Sequence, residues 1–264
     1  MFKYLASFLV ITAIILPPVM ANGSALELAV EYQITLKVKA IPIEGAEISG
    51  DVMNKTIEVM RKRIDAFGVF DPKVEKSGTN EILVKINGIK DPERAISIIL
   101  DPAELQLVTA EWLPEDMSVQ SVKEKYGADA KVTTVKKFKG FMVESDILII
   151  LIKPVLTGAA IKKAWTGTDA AGNPTIEIEL TPEATETFKE VTGTNIGKPL
   201  AIVLDGEAIS APIVQEKISS GLAQITGYFG ETEAKDLAIK LNSGALPALL
   251  EILEKNIEEE QPVL

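Results

Sequence analysis

Apolar and polar positions alternate with a period of two in some stretches of the chain and of three to four in others. These periods predict strands and helices respectively. Between residues 26 and 112 the predicted order is strand, helix, strand, strand, helix, strand, which is typical of a ferredoxin-like split βαβ unit. The strands are predicted within 28–40 and at 73–76, 81–86 and 103–112, and the helices at about 53–67 and 91–99. The segment 103–112 is expected to close the unit.

Both predicted helices carry boundary signals. Ser49 or Asp51 can cap the first helix, and Gly68 stands where a left-handed residue ends it. Asp91 is the expected cap of the second helix, with Pro92 in the first turn, where a missing N–H is harmless. The apolar stripe of the first helix is interpreted as core packing and not as a cofactor site.

A second series of elements follows Pro114. It predicts helices at 118–126, 182–191 and 232–242, and strands at 131–138, 142–152, 175–180, 199–204, 207–214 and 223–229. Asp205-Gly206 between two apolar runs is a strong hairpin signal. The apolar run ILIILI at 147–152 favours a buried core strand over a sticky edge for another peptide.

These elements predict an α+β fold in which a head subdomain is inserted into a ferredoxin-like base. The base is expected at 26–112, the head at 113–243, and a segment at 244–264 returns to the base and ends in an acidic tail. The two crossings, 113–116 and 243–247, are hinge candidates, because motion between lobes is absorbed by a few loop residues.

The first 21 residues are typical of a secretory signal peptide. Lys3 precedes an apolar stretch of 13 residues at 4–16, shorter than the roughly 20 that a membrane-spanning helix needs. Val19 and Ala21 suit cleavage after Ala21. The alternative is an uncleaved anchor over 4–21 that keeps the protein associated with the membrane. Under either interpretation the remaining chain is expected outside the cytoplasm, in the periplasm.

Composition narrows the classes of function. The chain has 27 Lys and Arg residues against 38 Asp and Glu, a formal charge of -11, which argues against nucleic acid as a partner. It contains no His and no Cys. Catalytic triads, Cys-His nucleophiles, His or Cys zinc sites and disulfides are therefore excluded. We expect no enzyme activity, no cofactor, and no catalytic, cofactor-binding or metal-binding residues.

Two motifs resemble known sites but lack essential features. The segment 193–198 has three residues between its glycines instead of the four of a phosphate loop, and Pro199 replaces the Ser or Thr that binds magnesium. The segment 169–173 lacks the alternating carboxylates of a calcium loop, so a flexible turn is expected there.

A family resemblance rests on an ordered series of segments. RIDAFGVFDPKVEKSGTNEILVKINGIKDPERAISIILDPAELQL at 63–107 resembles the base of the first large periplasmic domain of SecD, a protein-translocation subunit. LTGAAIKKA, IGKPLAIVLDGEAISAPIV, ISSGLAQITGYFGETEA and LNSGALPALLEI, between 156 and 252, resemble that domain's head and its return to the base. The glycines and prolines in these segments are expected to serve architecture and not chemistry.

The chain also departs from the family pattern. Residues 26–30 read LELAV where SecD proteins carry an LDLxGG-like motif, and after Ile257 the chain reads EEEQPVL where the family continues into membrane helices. Those helices hold the proton-responsive residues, so this chain by itself is not expected to couple proton flow to transport.

Two functions are compatible with this resemblance. The first is an accessory of Sec-dependent export that binds unfolded preprotein as it leaves the SecYEG channel, with a SecF-like or other membrane subunit as partner. The alternative is a repurposed module that docks on another protein of the cell envelope.

Overall fold

The computed structural model describes residues 30–43, 47–69, 71–114, 117–139, 142–227 and 229–260. The predicted signal peptide or anchor at 1–21 lies outside these residues. The strands are β1 Glu31–Ile41, β2 Lys73–Lys76, β3 Glu81–Ile89, β4 Leu105–Trp112, β5 Lys131–Lys139, β6 Met142–Thr157, β7 Ile161–Thr168, β8 Pro174–Leu180, β9 Leu200–Leu204, β10 Glu207–Ser210, β11 Leu222–Ile225 and β12 Leu249–Glu260. The helices are α1 Gly50–Asp65, α2 Pro92–Leu100, α3 Val119–Tyr126, α4 Pro182–Thr194 and α5 Glu231–Ser243.

The predicted helix boundaries are confirmed at three points. The Ser49 side chain accepts the Val52 N–H and caps α1, while Asp91 accepts the Arg94 N–H and caps α2. Gly68 has a φ of 69°, in the left-handed region that glycine enters without steric cost.

The base is an antiparallel sheet in the order β12-β1-β3-β2, with α1 and α2 packed on one face. Alternate residues of β1, among them Ile34, Leu36 and Val38, are fully buried against the helices. Strand order and connections match the ferredoxin-like fold that the sequence predicts. The α+β architecture with an inserted head is therefore confirmed.

The predicted closing strand of the base was wrong. β4 pairs with β6 and β9 in a different sheet, and β12 takes the place beside β1, from Glu31 opposite Glu260 to Ile41 opposite Leu249. The physical reason is burial. β4 carries apolar residues on both faces and suits the centre of a sheet, whereas the Glu-rich β12 suits an edge, where charge discourages further pairing. The predicted acidic tail is thus partly strand.

The head contains two sheets. One has the order β10-β9-β4-β6-β5 and the other the order β11-β8-β7. The run ILIILI lies in β6, between two neighbouring strands, and Ile149 and Ile150 are fully buried on opposite faces, so the core interpretation is confirmed. The strand predicted at 207–214 ends at Ser210, and β7, whose polar sequence lacks clear alternation, was not predicted.

The chain passes between the four-stranded sheet and the sheets of the head at two places. The first passage, at 101–104, joins α2 to β4 of the five-stranded sheet. The return lies between α5 and β12, where the second crossing was expected at 243–247. From Glu31 onward the chain forms one compact unit, and the predicted lobe boundaries and hinges stay predictions.

Candidate functional site

An apolar groove opens in the head between its two sheets. The groove has a volume of about 300 Å³. Its walls come from both sheets, from α4 and from the loop that follows β10. The lining residues are Leu107, Ile178, Phe188, Thr192, Leu200, Ile202, Pro212, Ile213, Val214, Gln215, Glu216, Ile218, Ala223, Gln224 and Ile225.

The floor of the groove is buried and its rim is exposed. Ile178, Ile202 and Ile225 lie in the core of the head, because their strands place alternate side chains between the sheets. At the rim, the side chain of Ile213 remains 45% exposed, and the neighbouring residue of β11, Leu222, is 53% exposed. Large aliphatic side chains at an open cavity provide binding surface for an apolar group.

The loop at 211–218 forms one wall and is held by hydrogen bonds. Val214 donates its N–H to the Lys198 carbonyl at 3.0 Å and accepts the Gly197 N–H at 2.9 Å. The fully buried Thr192 hydroxyl donates to the Phe188 carbonyl at 2.8 Å and accepts the Ile218 N–H at 3.0 Å. These bonds fix the wall against α4.

Strand β11 adds an open sheet edge to the groove. Leu180 donates its N–H to the Gly221 carbonyl, so by antiparallel alternation Leu222 and Gln224 point their backbone groups away from β8. Ser220 reaches Leu222, with its hydroxyl 3.2 Å from the Leu222 nitrogen and 3.5 Å from the oxygen. In the described part of the chain no strand pairs with this edge.

The opposite edge of the same sheet is blocked. The Asn242 side chain on α5 accepts the Ala164 N–H at 2.8 Å and donates to the Ala164 carbonyl at 2.7 Å, which satisfies the outward backbone groups of Ala164 in β7. In the five-stranded sheet, the edge strands β10 and β5 lie alongside each other. Only β11 therefore combines an open edge with an apolar groove among the described strands of the head.

The groove carries little charge. Glu216 is the one charged residue among the described residues that line it, and the other polar groups are amides and the bonded Thr192 hydroxyl. The arrangement can hold an apolar side chain and an extended main chain.

The two segments that resemble a phosphate loop and a calcium loop form ordinary turns. In the segment 193–198, the Gly197 and Lys198 amides donate to backbone carbonyls and do not form an anion cradle. In the segment 169–173, the Asp169 carboxylate accepts N–H groups of Ala171 and Asn173, and the bonds from Asn173 lower the pKa of Asp169. No group of carboxylates that could hold a metal ion occurs within the described ranges.

The sequence did not predict the groove. Its lining comes from two sheets, one helix and a loop that are distant along the chain, and no spacing rule brings them together. The one local signal was a pair of exposed aliphatic residues, Ile213 and Leu222, in a stretch rich in Pro, Ser and Gly.

Two family models match the sequence of this chain. The model of the SecDF P1 head subdomain matches residues 133–248, and the model of the N-terminal P1 domain of protein translocase subunit SecDF matches residues 53–111. None of the helices among the described residues is long and apolar enough to cross a membrane.

Individual relatives agree with these matches. Protein translocase subunit SecD of Dictyoglomus turgidum is 37% identical over 80% of this chain and 43% of the relative. SecD of Aquifex aeolicus is 38% identical over 80% of this chain and 40% of the relative. The chain thus spans about two fifths of the length of these relatives.

Two solved structures share the fold. A structure described as that of a membrane component, SecDF, that enhances protein export has a TM-score of 0.63 and 30% identity, covering 83% of this chain and 98% of that one. SecDF in a super-membrane-facing form has a TM-score of 0.66 and 28% identity, covering 87% of this chain and 31% of that one.

Proposed function

Because the chain belongs to the SecD family of protein translocase subunits, we propose that it assists Sec-dependent export by binding unfolded polypeptide outside the cytoplasm. The observation that supports this proposal is the apolar groove beside the open edge of β11. The geometry favours binding without catalysis.

The two parts of the site suit two parts of an extended client. The outward N–H and C=O of Gln224 can bond to any main chain, whatever its sequence, and add a short strand to the sheet. An adjacent apolar side chain of the client can enter the groove past Ile213. Main-chain bonding with one apolar pocket gives tolerant recognition, which an export factor with many clients needs.

The affinity is expected to be low. Ordering a flexible client offsets much of the contact energy, so we expect micromolar or weaker binding, about -8 kcal/mol or less favourable. Glu216 and the formal charge of -11 favour clients with Lys or Arg near the apolar residue. This preference is expected to weaken with salt, which screens exposed charges.

The proposed partners and location are those that membership of the SecD family suggests. In this proposal the chain works beside the SecYEG translocon with a SecF-like or other membrane subunit, on the periplasmic side. It needs no nucleotide, metal or cofactor of its own.

The experiment titrates a labelled secretory precursor, unfolded and folded, against the purified chain at low and high salt, with fluorescence anisotropy as the readout. Ile213→Asp places a charge at the rim of the groove and is expected to weaken binding of the unfolded precursor about tenfold or more. The matched control is Leu253→Asp, because Leu253 has nearly the same exposure, 43%, but lies in the base. It is expected to bind like the unchanged chain.

A second variant tests the sheet edge. Gln224→Pro removes the outward N–H and is expected to weaken binding even of a polyalanine peptide, which cannot use the groove fully. Equal binding by all three variants would contradict the groove as the client site. Failure to bind any unfolded precursor, together with tight capture of one folded envelope protein, would favour the docking-module alternative.

A further inference from the structure

Arg63 of α1 lies at the junction of base and head and is fully buried. No carboxylate among the described residues forms an ion pair with its guanidinium. The guanidinium donates instead to four backbone carbonyls and one hydroxyl. The acceptors are the carbonyls of Ile98 at 2.8 Å, Ile99 at 3.3 Å, Gly244 at 3.0 Å and Asp101, and the Ser243 hydroxyl at 3.1 Å.

These acceptors belong to the carboxyl ends of α2 and α5. The ends of both helices carry partial negative charge, and one guanidinium bonds to both. The two crossings between base and head begin at the same ends. Burial lowers the pKa of Arg63 to about 10, so the side chain remains charged at neutral pH. Arg63 therefore fixes the two crossings to each other.

Two carboxylates lie beside this joint. Asp101, which ends α2, accepts the Ala103 N–H at 3.0 Å and pairs with Lys240 of α5. Asp205, in the turn between β9 and β10, accepts the N–H of Glu104 at 2.8 Å, and Glu104 directly follows Ala103 in the chain. The two carboxylates thus accept consecutive amides, those of Ala103 and Glu104. Asp101 from the base and Asp205 from the head therefore lie at the same turn of the chain.

We propose that Asp101 and Asp205 form a proton-sensitive clasp between base and head, which tightens when Asp205 takes up a proton and loosens when it loses one. The charged groups that act on Asp205 are Arg63 from α1, Asp101 from the crossing and Lys240 from α5. Glu104, whose amide bonds to Asp205, and Glu207, two residues along the hairpin, are its acidic neighbours along the chain. With Asp205 ionised, two negative charges compete for Lys240. With Asp205 protonated, Lys240 neutralises Asp101 and the repulsion across the junction disappears.

Partial desolvation raises the pKa of Asp205 above its ordinary 3.8, the neighbouring Asp101 raises it further, and the bond from the Glu104 amide and the charge of Lys240 oppose this. Loosening the clasp moves Asp205 away from Asp101 and returns its pKa toward the ordinary value. The closed junction therefore binds the proton more tightly, so the closed state gains as pH falls through the raised pKa.

A second contact between base and head, an ion pair, does not depend on the protonation of Asp205. Arg94 of α2 donates from Nε to both carboxylate oxygens of Asp236 on α5, at 3.0 and 3.1 Å. Deprotonation of Asp205 is therefore expected to loosen the junction and not to separate base from head.

The test is amide hydrogen exchange of the full chain at pH 3.5, below the ordinary pKa value of an aspartate, and at pH 7.5, corrected for the intrinsic exchange rates. Three amides report on the junction: Asp205, which donates to the Glu104 carbonyl at 3.0 Å, Glu104 itself, and Leu246, which donates to the Pro102 carbonyl at 2.9 Å. Their protection is expected to be severalfold higher at pH 3.5. The Thr185 amide within α4 is the internal reference and is expected not to change.

Variants separate the clasp from general acid effects. Asp205→Asn mimics the protonated state and is expected to give high protection at both pH values. Lys240→Gln is expected to lower protection at pH 7.5, and the exposed Asp129→Asn, which is remote from the junction, is the matched control and is expected to retain the pH dependence. The proposal is overturned if Asp205→Asn keeps the pH dependence, or if Thr185 changes as much as the junction amides.

Discussion

The base and the head bury their apolar residues in different ways. In the base, one sheet and two helices enclose a single core that includes Ile34, Met60 and Ile86, all fully buried. In the head, the apolar residues divide into several clusters around two sheets, and between the sheets lies a groove of about 300 Å³.

The difference separates two tasks. A close-packed core loses stability when a single methylene is removed, so the base is suited to hold its shape. The rim of an open groove makes few packing contacts. Substitutions of rim residues in the head are therefore expected to change the free energy of unfolding only slightly. Stability is therefore expected to concentrate in the base and the junction, and binding in the head.

The largest effect is expected at the junction. Arg63→Met leaves five acceptors at the ends of α2 and α5 without their donor and is expected to cost about 3–5 kcal/mol of unfolding free energy. The control is Arg61→Met on the same helix, because Arg61 is exposed and, among the described residues, donates only to the Val74 carbonyl; about 1 kcal/mol is expected. Urea unfolding measures both. Equal losses would mean that burial of Arg63 does not matter.

The next effect compares a base core residue with a rim residue of the groove. Ile86→Ala creates a cavity in the packed core and is expected to cost about 2–4 kcal/mol. Ile213→Ala, at a side chain 45% exposed, is expected to cost less than about 0.5 kcal/mol while weakening client binding. Thermal unfolding and the anisotropy titration measure the two properties. A large stability loss in Ile213→Ala would remove the contrast between base and head.

The smallest effect concerns acid sensitivity of the head. The Tyr126 hydroxyl, which donates to Glu111 at 2.6 Å, and Lys198, at 3.1 Å, lower the pKa of Glu111. A lowered pKa contributes stability that is present above the ordinary value of 4.5 and is lost as pH falls through the folded-state value.

The variant Glu111→Gln is therefore expected to be less stable than the unchanged chain by below about 1 kcal/mol at neutral pH, with the difference vanishing in acid. Denaturant unfolding from pH 7 to pH 3 measures this difference. A difference that is constant over the range would show that the ionised carboxylate contributes nothing.

The local features that the sequence predicted correctly depend on short-range physics. The caps at Ser49 and Asp91, the left-handed Gly68 and the buried run in β6 each follow from residues close together in the chain. Periodicity located most strands and helices because it reports which face of an element meets the core. It missed β7, where Asn242 and α5 support a strand of polar sequence.

The chain by itself determined the α+β class, the order of elements in the base, the family resemblance, and the lack of His and Cys that removes whole classes of chemistry. The tertiary structure decided which strand closes the base, where the crossings lie, how Arg63 joins two helix ends and where the groove opens. The physical reason is that propensity and periodicity act over a few residues. Strand pairing and cavities depend instead on which distant surfaces compete for the same neighbour, and β12 occupied the edge of β1 because β4 had more apolar surface to bury.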